Sequence, residues 1–231
     1  MTYQAYIFDL DGTLLDTLGD LAASTNYALR THGMPEHSID DVRRFVGNGV
    51  RKLMERAIPD GEANPLFEET FATFRQHYMA HSLDTTKPYE GIPEMLKALK
   101  ARGCRLAVVS NKMMAATQEL CQHFFPDTIE VAIGENEAQG IRKKPAPDTV
   151  FAAMDALGIP RPILGDPRSD LGIPRNSGSS AVYVGDSDVD IETARNAGLP
   201  CISVLWGFRD RDFLIQHGAT VFAETPQTLE S

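Results

Sequence analysis

Short apolar segments alternate with longer segments of helical periodicity over most of the chain. Gly, Asp or Pro bounds most of the apolar segments, which span residues 3–8, 105–109, 131–133, 181–184, 201–205 and 220–222. Their content of Val, Ile and aromatic residues is typical of buried strands. A helical period occurs in segments 92–102, 115–125, 147–157 and 191–197. The alternation predicts an α/β fold, with a mostly parallel sheet and helices on both faces.

Residues 16–86 interrupt this alternation directly after the first strand. The segment contains only helical patterns, over 16–32, 50–58 and 62–81. Its aromatic residues lie near helical spacing, and we expect most of them to form helix core. The pattern therefore predicts an all-helical cap of residues 16–86, inserted into an α/β core of residues 1–15 and 87–231.

Residues 160–180 also depart from the pattern, in this case by composition. Pro, Gly and Ser make up more than half of this segment. Such a composition does not form a packed helix or strand. We therefore predict an atypical loop or flap within the α/β core.

The overall charge narrows the range of ligands. The chain has 22 Lys and Arg residues against 32 Asp and Glu residues, a formal net charge of −10. Binding to a nucleic acid polymer depends on Lys and Arg displacing counterions, so we expect no such partner. A small phosphorylated metabolite remains compatible with this charge if local cations or a metal ion receive its phosphate.

The sequence also favours a cytoplasmic protein without membrane contact. Cys104, Cys121 and Cys201 form no C-x-x-C pair, and their spacing fits neither a zinc site nor a disulfide framework. Reduced thiols are the simple interpretation. The first residues show no signal peptide, and no apolar run approaches the roughly 20 residues that span a bilayer. We expect a monomer or a homodimer.

Two aspartates follow the first predicted strand, in the run FDLDGTL of residues 8–14. Because Asp9 and Asp11 are two residues apart at a strand end, their side chains point to one side. Ligands of open α/β sheets bind at the C-terminal ends of strands. Two carboxylates there repel each other unless a cation or a shared proton intervenes. An Asp-Gly turn explains the dipeptide alone, but not the whole run after a buried strand.

A second acidic run, GDSDVD at residues 185–190, follows another predicted strand. If a helix begins within the run, Asp186 and Asp190 project about one turn apart. The run opens like an EF-hand loop, but Ile191 and Ala197 stand where that loop requires Gly and Glu, so we exclude it. Helix capping explains one or two of these polar residues, but not all of them.

Two further segments offer groups that bind anions. Ser110 and Asn111 end a predicted strand, where a hydroxyl, an amide and helix-start N–H groups form an anion site. A nucleophilic serine is the alternative, but the G-x-S-x-G motif is absent. Lys143 and Lys144 precede Pro145 and a predicted helix. A solvated basic turn is the alternative for this lysine pair.

Together these segments match one chemistry and resemble one family. An aspartate that attacks phosphorus needs a metal ion and cations to neutralise the phosphoryl oxygens. The chain resembles the haloacid dehalogenase superfamily, in its phosphoglycolate-phosphatase-like branch with a type C1 helical cap and a Rossmann-like core. The resemblance covers nearly the whole chain. It rests on D-x-D-G-T-[LV] at 9–14, Ser110 after an apolar strand, Lys144 before Pro145, and G-D-[ST]-x-x-D at 185–190.

The resemblance implies a role for each motif residue. Asp9 would be the nucleophile that becomes an aspartyl phosphate, and Asp11 the general acid and base. Four residues would form the Mg²⁺ site: Asp9, the backbone carbonyl of Asp11, Asp186 and, directly or through water, Asp190. Three residues would bind the phosphate: Ser110, Asn111 and Lys144, the last preferred over Lys143 for its place before proline.

The implied activity is Mg²⁺-dependent hydrolysis of a small phosphomonoester, with 2-phosphoglycolate as the lead substrate. A phosphomutase of the β-phosphoglucomutase type shares all four motifs, and a pyrophosphatase or nucleotidase of the same superfamily stays open. A non-catalytic regulatory module would be expected to have lost a motif carboxylate or the lysine, and none is lost. Asp11 argues against dehalogenase chemistry, because the superfamily's dehalogenases resemble D-x-Y at that site.

Within the predicted cap, the run VGNGVR at residues 46–51 is similar to a Gly-Asn-Gly run of phosphoglycolate phosphatases. The backbone N–H groups of Asn48 and Gly49, together with Arg51, would receive a substrate carboxylate. A helix N-terminus with a surface arginine is the alternative.

Overall fold

The computed structural model describes residues 3–136, 140–162 and 181–230, and the chain divides into two compact units. The α/β unit comprises Met1–Leu14 and Glu90–Ser231, and the helical unit comprises Leu15–Tyr89. These boundaries lie within a few residues of those expected for the helical segment. Most of the loop expected at residues 160–180 lies outside the described residues.

A six-stranded parallel sheet forms the centre of the α/β unit, in the order β5-β4-β1-β6-β7-β8. Its strands are β1 (Ala5–Phe8), β4 (Arg105–Met113), β5 (Val131–Glu135), β6 (Ala181–Gly185), β7 (Cys201–Val204) and β8 (Phe222–Ala223). In register, Phe8 at the end of β1 lies opposite Val108 and Val184. The predicted mostly parallel sheet is confirmed, and the carboxyl ends of β1, β4 and β6 meet at one edge.

Helices cover both faces of this sheet. The described residues of the unit form α5 (Ile92–Ala101), α6 (Met114–Phe124), α7 (Asp148–Leu157), α8 (Asp188–Ala197) and α9 (Arg211–Gln216). All four residues of β1 are buried, although successive side chains point to opposite faces. On one face, Ile7 and Tyr183 pack with Val150 and Met154 of α7. Both faces therefore exclude water, which explains why these strands read as continuous apolar runs.

The helical unit contains four helices and one short antiparallel ladder among its described residues. The helices are α1 (Leu18–Thr31), α2 (Ile39–Phe45), α3 (Val50–Ala57) and α4 (Phe67–His81), and the ladder joins β2 (Leu15–Asp16) to β3 (Lys87–Pro88). Its interior is apolar, with Leu29, Leu53, Met54, Phe74 and Tyr78 at most 2 % exposed.

The predicted helix over residues 62–81 is wrong at its start. A short 3₁₀ turn covers Gly61–Ala63, and α4 begins only at Phe67. Pro65 disfavours the helical conformation at Asn64, whose backbone is extended. The Asn64 side-chain oxygen then accepts a hydrogen bond from Leu66 N at 2.9 Å, which fixes the turn before the helix. Sequence periodicity also missed the short helix α2.

Two sequence expectations concern cysteines and membranes. All three cysteines are free thiols; Cys104 and Cys121 are buried, and Cys201 is half-buried. Among the helices that the structure describes, none combines the length and the apolar character needed to cross a bilayer.

A buried carboxylate joins the first helix of the helical unit to the unit's last residues. Asp20, in the first turn of α1, is 2 % exposed. It accepts hydrogen bonds from the backbone N–H of Thr85 at 2.9 Å and of Thr86 at 2.9 Å. Both threonine hydroxyls donate to it as well, at 2.6 and 2.8 Å. Asp20 therefore ties the start of the unit's first helix to the segment that leaves the unit.

Replacing Asp20 by asparagine tests this tie. The amide group would turn donors toward the donors of Thr85 and Thr86, so Asp20→Asn should lower the free energy of unfolding by about 2–4 kcal/mol. Urea unfolding followed by far-UV circular dichroism measures the change. Glu69→Gln, at an exposed position of α4, is the matched control. Equal midpoints for the two variants would show that the tie does not stabilise the unit.

Candidate active site

The motif residues of the α/β unit converge at the carboxyl edge of its sheet. Asp9 directly follows β1, and its N–H donates to the carbonyl of Val184 at 2.8 Å. Ser110 lies near the end of β4, and Asp186 follows β6. Each of these polar side chains is almost fully buried. Such groups persist in a protein interior only when charge partners or hydrogen bonds compensate their lost hydration.

Three aspartates form a compact acidic cluster at this edge. One carboxylate oxygen each of Asp9, Asp186 and Asp190 lies within 4.8 Å of the others. Buried like charges at this separation repel strongly unless a cation is present. Carboxylate oxygens are the donors that Mg²⁺ prefers. The donor set therefore fits a small divalent cation, and the side chain of Asp11 is not part of the set.

The ammonium of Lys144 lies between two of these carboxylates. Its Nζ is 2.7 Å from Asp9 Oδ1 and 2.8 Å from Asp190 Oδ1. It also donates to the Tyr183 hydroxyl at 3.2 Å. An ammonium has three N–H donors, so these contacts use all of them. The structure thus places Lys144, and not the exposed Lys143, beside Asp9, the residue that the sequence analysis expects to be the nucleophile.

The start of α8 holds Asp190 in place. Its Oδ1 accepts from the Tyr183 hydroxyl at 2.9 Å. Its Oδ2 accepts from Ser187 Oγ at 2.6 Å and from the backbone N–H of Ser187 and Asp186 at 3.1 and 3.2 Å. This is a capping box, in which the side chain of each of the two residues, Ser187 and Asp190, accepts a hydrogen bond from the backbone N–H of the other. The helix-capping explanation of the acidic run thus holds for Asp190, while the same side chain also contacts Lys144.

Burial and mutual repulsion set the protonation behaviour of the cluster. Burial raises the pKa of Asp9 well above its ordinary value, and the charge of Asp190 raises it further against the effect of Lys144. Burial, followed by the charge of Asp190, raises the pKa of Asp186 to about 7. Burial alone lowers the pKa of Lys144, but the carboxylates of Asp190 and Asp9 outweigh it and the pKa is raised. Lys144 therefore does not neutralise the cluster completely.

Close backbone approach confines Asp186. Its carboxylate accepts from the backbone N–H of Phe208 at 2.7 Å and from the Thr13 hydroxyl at 3.3 Å. A Cβ on Gly12, whose φ is +86°, would lie 2.4 Å from Asp186 Oδ2, and a Cβ on Gly207 would lie 2.3 Å from Asp186 Cβ. Only glycine fits at either position. Sequence reasoning missed the segment at residues 206–208, which shows no motif beyond one glycine after a strand.

Asn111 holds the backbone that carries Lys144. Its Oδ1 accepts from Lys144 N at 2.7 Å, and its Nδ2 donates to the Lys144 carbonyl at 3.1 Å. These two bonds join the end of β4 to the segment before Pro145. The contact of Asn111 with phosphate, implied by the resemblance, stays a prediction, and so does the contact of Ser110. The Ser110 hydroxyl accepts from Lys112 N at 3.1 Å.

Lys112 is a further charged residue of the site that sequence analysis missed. Its side chain is 3 % exposed, and its Nζ lies 3.2 Å from Asp11 Oδ1. This contact is an ion pair, and Asp11 Oδ1 is a buried oxygen with no hydrogen-bond partner among the described residues. The sequence feature that could have indicated this residue is its place directly after Ser110 and Asn111, at the end of a buried strand.

The predicted substrate residues of the helical unit have partners within that unit. Arg51 binds Glu62 Oε1 at 2.7 Å and Glu68 Oε1 at 2.6 Å, and its guanidinium lies over the ring of Phe67. Asn48 Oδ1 accepts from Arg56 at 2.8 Å. Gly49 is the N-cap of α3, with a φ of +86°. A substrate carboxylate at Arg51 would have to replace a carboxylate that is already bound there.

The sequence and the fold are similar to those of known phosphatases. The family model described as haloacid dehalogenase-like hydrolase matches residues 6–204. A phosphoglycolate phosphatase of Aquifex aeolicus is 34% identical over 87% of this chain and 84% of its own length. An N-acetylmuramic acid 6-phosphate phosphatase of Pseudomonas aeruginosa is 30% identical over 99% of this chain and 94% of its own length.

A solved structure from Lactobacillus delbrueckii subsp. bulgaricus, provisionally assigned as a phosphoglycolate phosphatase, has the same fold. It superposes with a TM-score of 0.88 at 36% identity, covering 100% of this chain and 98% of its own. Similarity therefore extends over both compact units and is not confined to the motif segments.

The repulsion within the acidic cluster gives a testable pH dependence. A raised carboxyl pKa means that the folded protein keeps a proton that the unfolded chain releases, so stability falls as pH rises above about 4. Asp9→Asn removes one such carboxyl. Without divalent cations, this variant should melt at least about 2 °C above the wild type at pH 8, and the difference should shrink toward pH 5.

Melting curves in EDTA at the two pH values measure this effect. Asp212→Asn, at an exposed position of α9, is the control for a general change in net charge. A variant that is less stable than the wild type at pH 8, or a difference that does not depend on pH, would contradict the electrostatic account.

Proposed function

The chain belongs to the haloacid dehalogenase-like hydrolase family and is a phosphatase, and we propose that it hydrolyses a small phosphomonoester with Mg²⁺ through an aspartyl phosphate. One observation carries the proposal: the buried carboxylates of Asp9, Asp186 and Asp190 lie within 4.8 Å of one another beside the ammonium of Lys144. A stable fold has no need of this arrangement, since clustered buried charges cost free energy.

The acidic cluster supports a divalent metal ion. Asp9, Asp186 and Asp190 would hold Mg²⁺, with the backbone carbonyl of Asp11 as a further ligand implied by the family resemblance. When bound, Mg²⁺ neutralises charge that develops on a transferring phosphoryl group. The raised pKa values of Asp9 and Asp186 agree with this assignment: burial raises both, the charge of Asp190 raises them further, and a bound cation would oppose both effects.

The reaction divides into two displacements in this proposal. The Asp9 carboxylate forms a bond to phosphorus while the bond from phosphorus to the ester oxygen breaks, and Asp11 gives that oxygen a proton. Asp11 then takes a proton from a water molecule that attacks the aspartyl phosphate, which releases inorganic phosphate and restores Asp9. Ser110 and Lys144 hold the phosphoryl oxygens, for which Lys144 exchanges one of its three present contacts, and Lys144 also orients Asp9.

The lead substrate is 2-phosphoglycolate, and N-acetylmuramic acid 6-phosphate is the second candidate. The first is supported by the activity for which the Aquifex relative is named, and the second by the activity named for the Pseudomonas relative, which matches this chain over nearly its whole length. Both compounds join a phosphomonoester to a carboxylate. We propose that Asn48, Gly49 and Arg51 contact the substrate, with the Arg51 guanidinium exchanging Glu62 or Glu68 for the substrate carboxylate.

A substrate panel tests the activity and its substrate together. Phosphate release is measured from 2-phosphoglycolate, N-acetylmuramic acid 6-phosphate, glucose 6-phosphate, a nucleoside monophosphate and pyrophosphate, each with Mg²⁺ and with EDTA. We expect Mg²⁺-dependent release that is at least about ten-fold faster for 2-phosphoglycolate than for the other compounds. Faster release from the muramic acid ester would instead support the second candidate.

The Asp9→Asn variant is the blank for this panel. Its turnover should be negligible, because an amide does not attack phosphorus. Turnover above about a tenth of the wild-type value would contradict Asp9 as nucleophile. Release from no compound by the wild type would overturn the proposed activity.

Metal binding can be measured without any substrate. Because a ligand that binds only the folded state adds about 2.7 kcal/mol at a hundred times its Kd, Mg²⁺ should raise the melting temperature of the wild type by several degrees. Asp186→Ala removes one cluster oxygen and should abolish most of this rise. Asp188→Ala lies in the same acidic run but outside the cluster, and should keep it. Equal Mg²⁺ responses of the two variants would place the metal elsewhere.

A further inference from the structure

Lys112 is a lysine in an unusual position at the end of the central sheet. It lies in β4, its residue is 4 % exposed, and it follows four fully buried strand residues and the motif pair Ser110 and Asn111. Lysine is rarely buried unless an acidic group compensates its charge. Its burial therefore needs an explanation that the roles assigned to the four motifs do not give.

The backbone at Lys112 is fixed by an irregularity in the strand pairing. Between Val109 and Met113, β4 advances four residues while its partner β5 advances only two, from Ile133 to Glu135. A bulge of this kind redirects side chains and is common beside active sites. Here it breaks the alternation of β4 at the point where Lys112 projects.

Hydrogen bonds and close packing hold this bulge on both sides. The Lys112 N–H donates to Ser110 Oγ at 3.1 Å, and its carbonyl accepts from the buried Thr117 hydroxyl at 3.3 Å. A Cβ on Gly134 would lie 2.7 Å from the Lys112 carbonyl oxygen, so β5 approaches it too closely for any other residue. The lysine is thus presented from a rigid backbone and not from a flexible loop.

The ammonium of Lys112 is directed at Asp11. Its Nζ lies 3.2 Å from Asp11 Oδ1, and this is the ion pair of Asp11 among the described residues. The Asp11 side chain is 17 % exposed, whereas that of Lys112 is 3 % exposed. The carboxylate of Asp11 thus has partial access to solvent on one side and a buried cation beside it, and the attraction to that cation favours the orientation seen here.

The two buried lysines of the site therefore contact different carboxylates. Lys144 lies against Asp9 and Asp190, which belong to the acidic cluster. Lys112 lies against Asp11, whose side chain is outside the acidic cluster. One lysine thus serves the nucleophile and the metal ligands, and the other is adjacent to the residue that handles the proton.

We propose that Lys112 is a positioning residue that orients Asp11 toward the ester oxygen of the substrate. The inference rests on the proposed function, in which Asp11 gives its proton to that oxygen as the bond to phosphorus breaks. The carboxylate left by this transfer is stabilised by the ammonium beside it, whose own burial limits the screening of this attraction by water. The proton returns to Asp11 from the attacking water, so Lys112 itself gains and loses none.

The leaving group of the substrate distinguishes a role of Lys112 in proton transfer from a role in phosphate binding. An alkyl ester oxygen needs a proton to depart, whereas p-nitrophenolate departs without one. Lys112→Met keeps a long unbranched side chain, one atom shorter than lysine, and removes its charge. With 2-phosphoglycolate, or whichever alkyl ester the wild type hydrolyses best, kcat should fall by at least about 100-fold. With p-nitrophenyl phosphate, kcat should fall less than about 5-fold.

Phosphate affinity supplies the second measurement. KM for both esters and the inhibition constant of orthovanadate should stay within about 3-fold of the wild-type values, because Lys144 and Ser110 still bind the phosphoryl group. Lys112→Arg should recover part of the lost kcat for the alkyl ester. In the double variant with Asp11→Asn, the loss should be no greater than for Asp11→Asn alone, since both changes affect one proton transfer.

Two controls guard against a folding artefact. Lys97→Met replaces an exposed lysine of α5 and should behave as the wild type with both esters. Circular dichroism and the Mg²⁺-induced rise in melting temperature should be retained in Lys112→Met. A variant that fails to fold would be replaced by Lys112→Gln, to which the same comparison of two esters applies.

The possible failures can be told apart. Equal losses with both esters, together with weaker vanadate inhibition, would overturn the positioning role and place Lys112 in the phosphate site. Unchanged kcat with the alkyl ester would overturn any role in proton transfer. A wild-type protein that hydrolyses neither ester would overturn the proposed function, and this inference with it.

Discussion

The rest of the site depends on the position of one ammonium, that of Lys144 between the buried carboxylates of Asp9 and Asp190. Each partner comes from a separate part of the chain and is fixed there independently. The Asn111 amide holds the backbone of Lys144, and the first turn of α8 holds Asp190. Loss of Lys144 would leave Asp9 and Asp190 as uncompensated buried charges, at a cost of about 3–5 kcal/mol, whereas loss of Asp9 would leave Lys144 paired with Asp190. The sheet edge is therefore specified by electrostatics as much as by packing.

The charge balance of this edge links stability to chemistry. Four carboxylates and two ammonium groups lie there, which is an excess of negative charge, and burial followed by the charge of Asp190 raises the pKa values of Asp9 and Asp186. A protein selected for stability alone would not keep this excess. The excess negative charge is what a divalent cation needs in order to bind, and in the proposed reaction that cation would offset the charge of the phosphoryl group. The features that destabilise the cation-free protein are thus those that the proposed reaction uses.

The family motifs gain a physical explanation from the packing. Gly12 is required because the Asp186 carboxylate occupies the space of its Cβ, and Gly207 is required because the Asp186 Cβ and the Gly12 carbonyl oxygen occupy the space of its own. A turn would accept Gly12 without any such constraint, so the turn interpretation of Asp-Gly is incomplete. In the helical unit, by contrast, the binding of Arg51 to Glu62 and Glu68 shows that an arginine after a glycine run does not identify a substrate site by itself.

The sequence alone determined the α/β alternation, the inserted helices and the acidic residues at the strand ends, because period and strand length are local properties and parallel strands share one carboxyl edge. Only the tertiary structure decided which charges touch. Neither the pairing of Lys112 with Asp11 nor the N–H of Phe208 on Asp186 is visible in the chain, since each joins residues about 20 to 100 positions apart through strand order, a bulge and side-chain rotamers. Local pattern specifies where the chemical groups lie along the chain, and packing selects their partners.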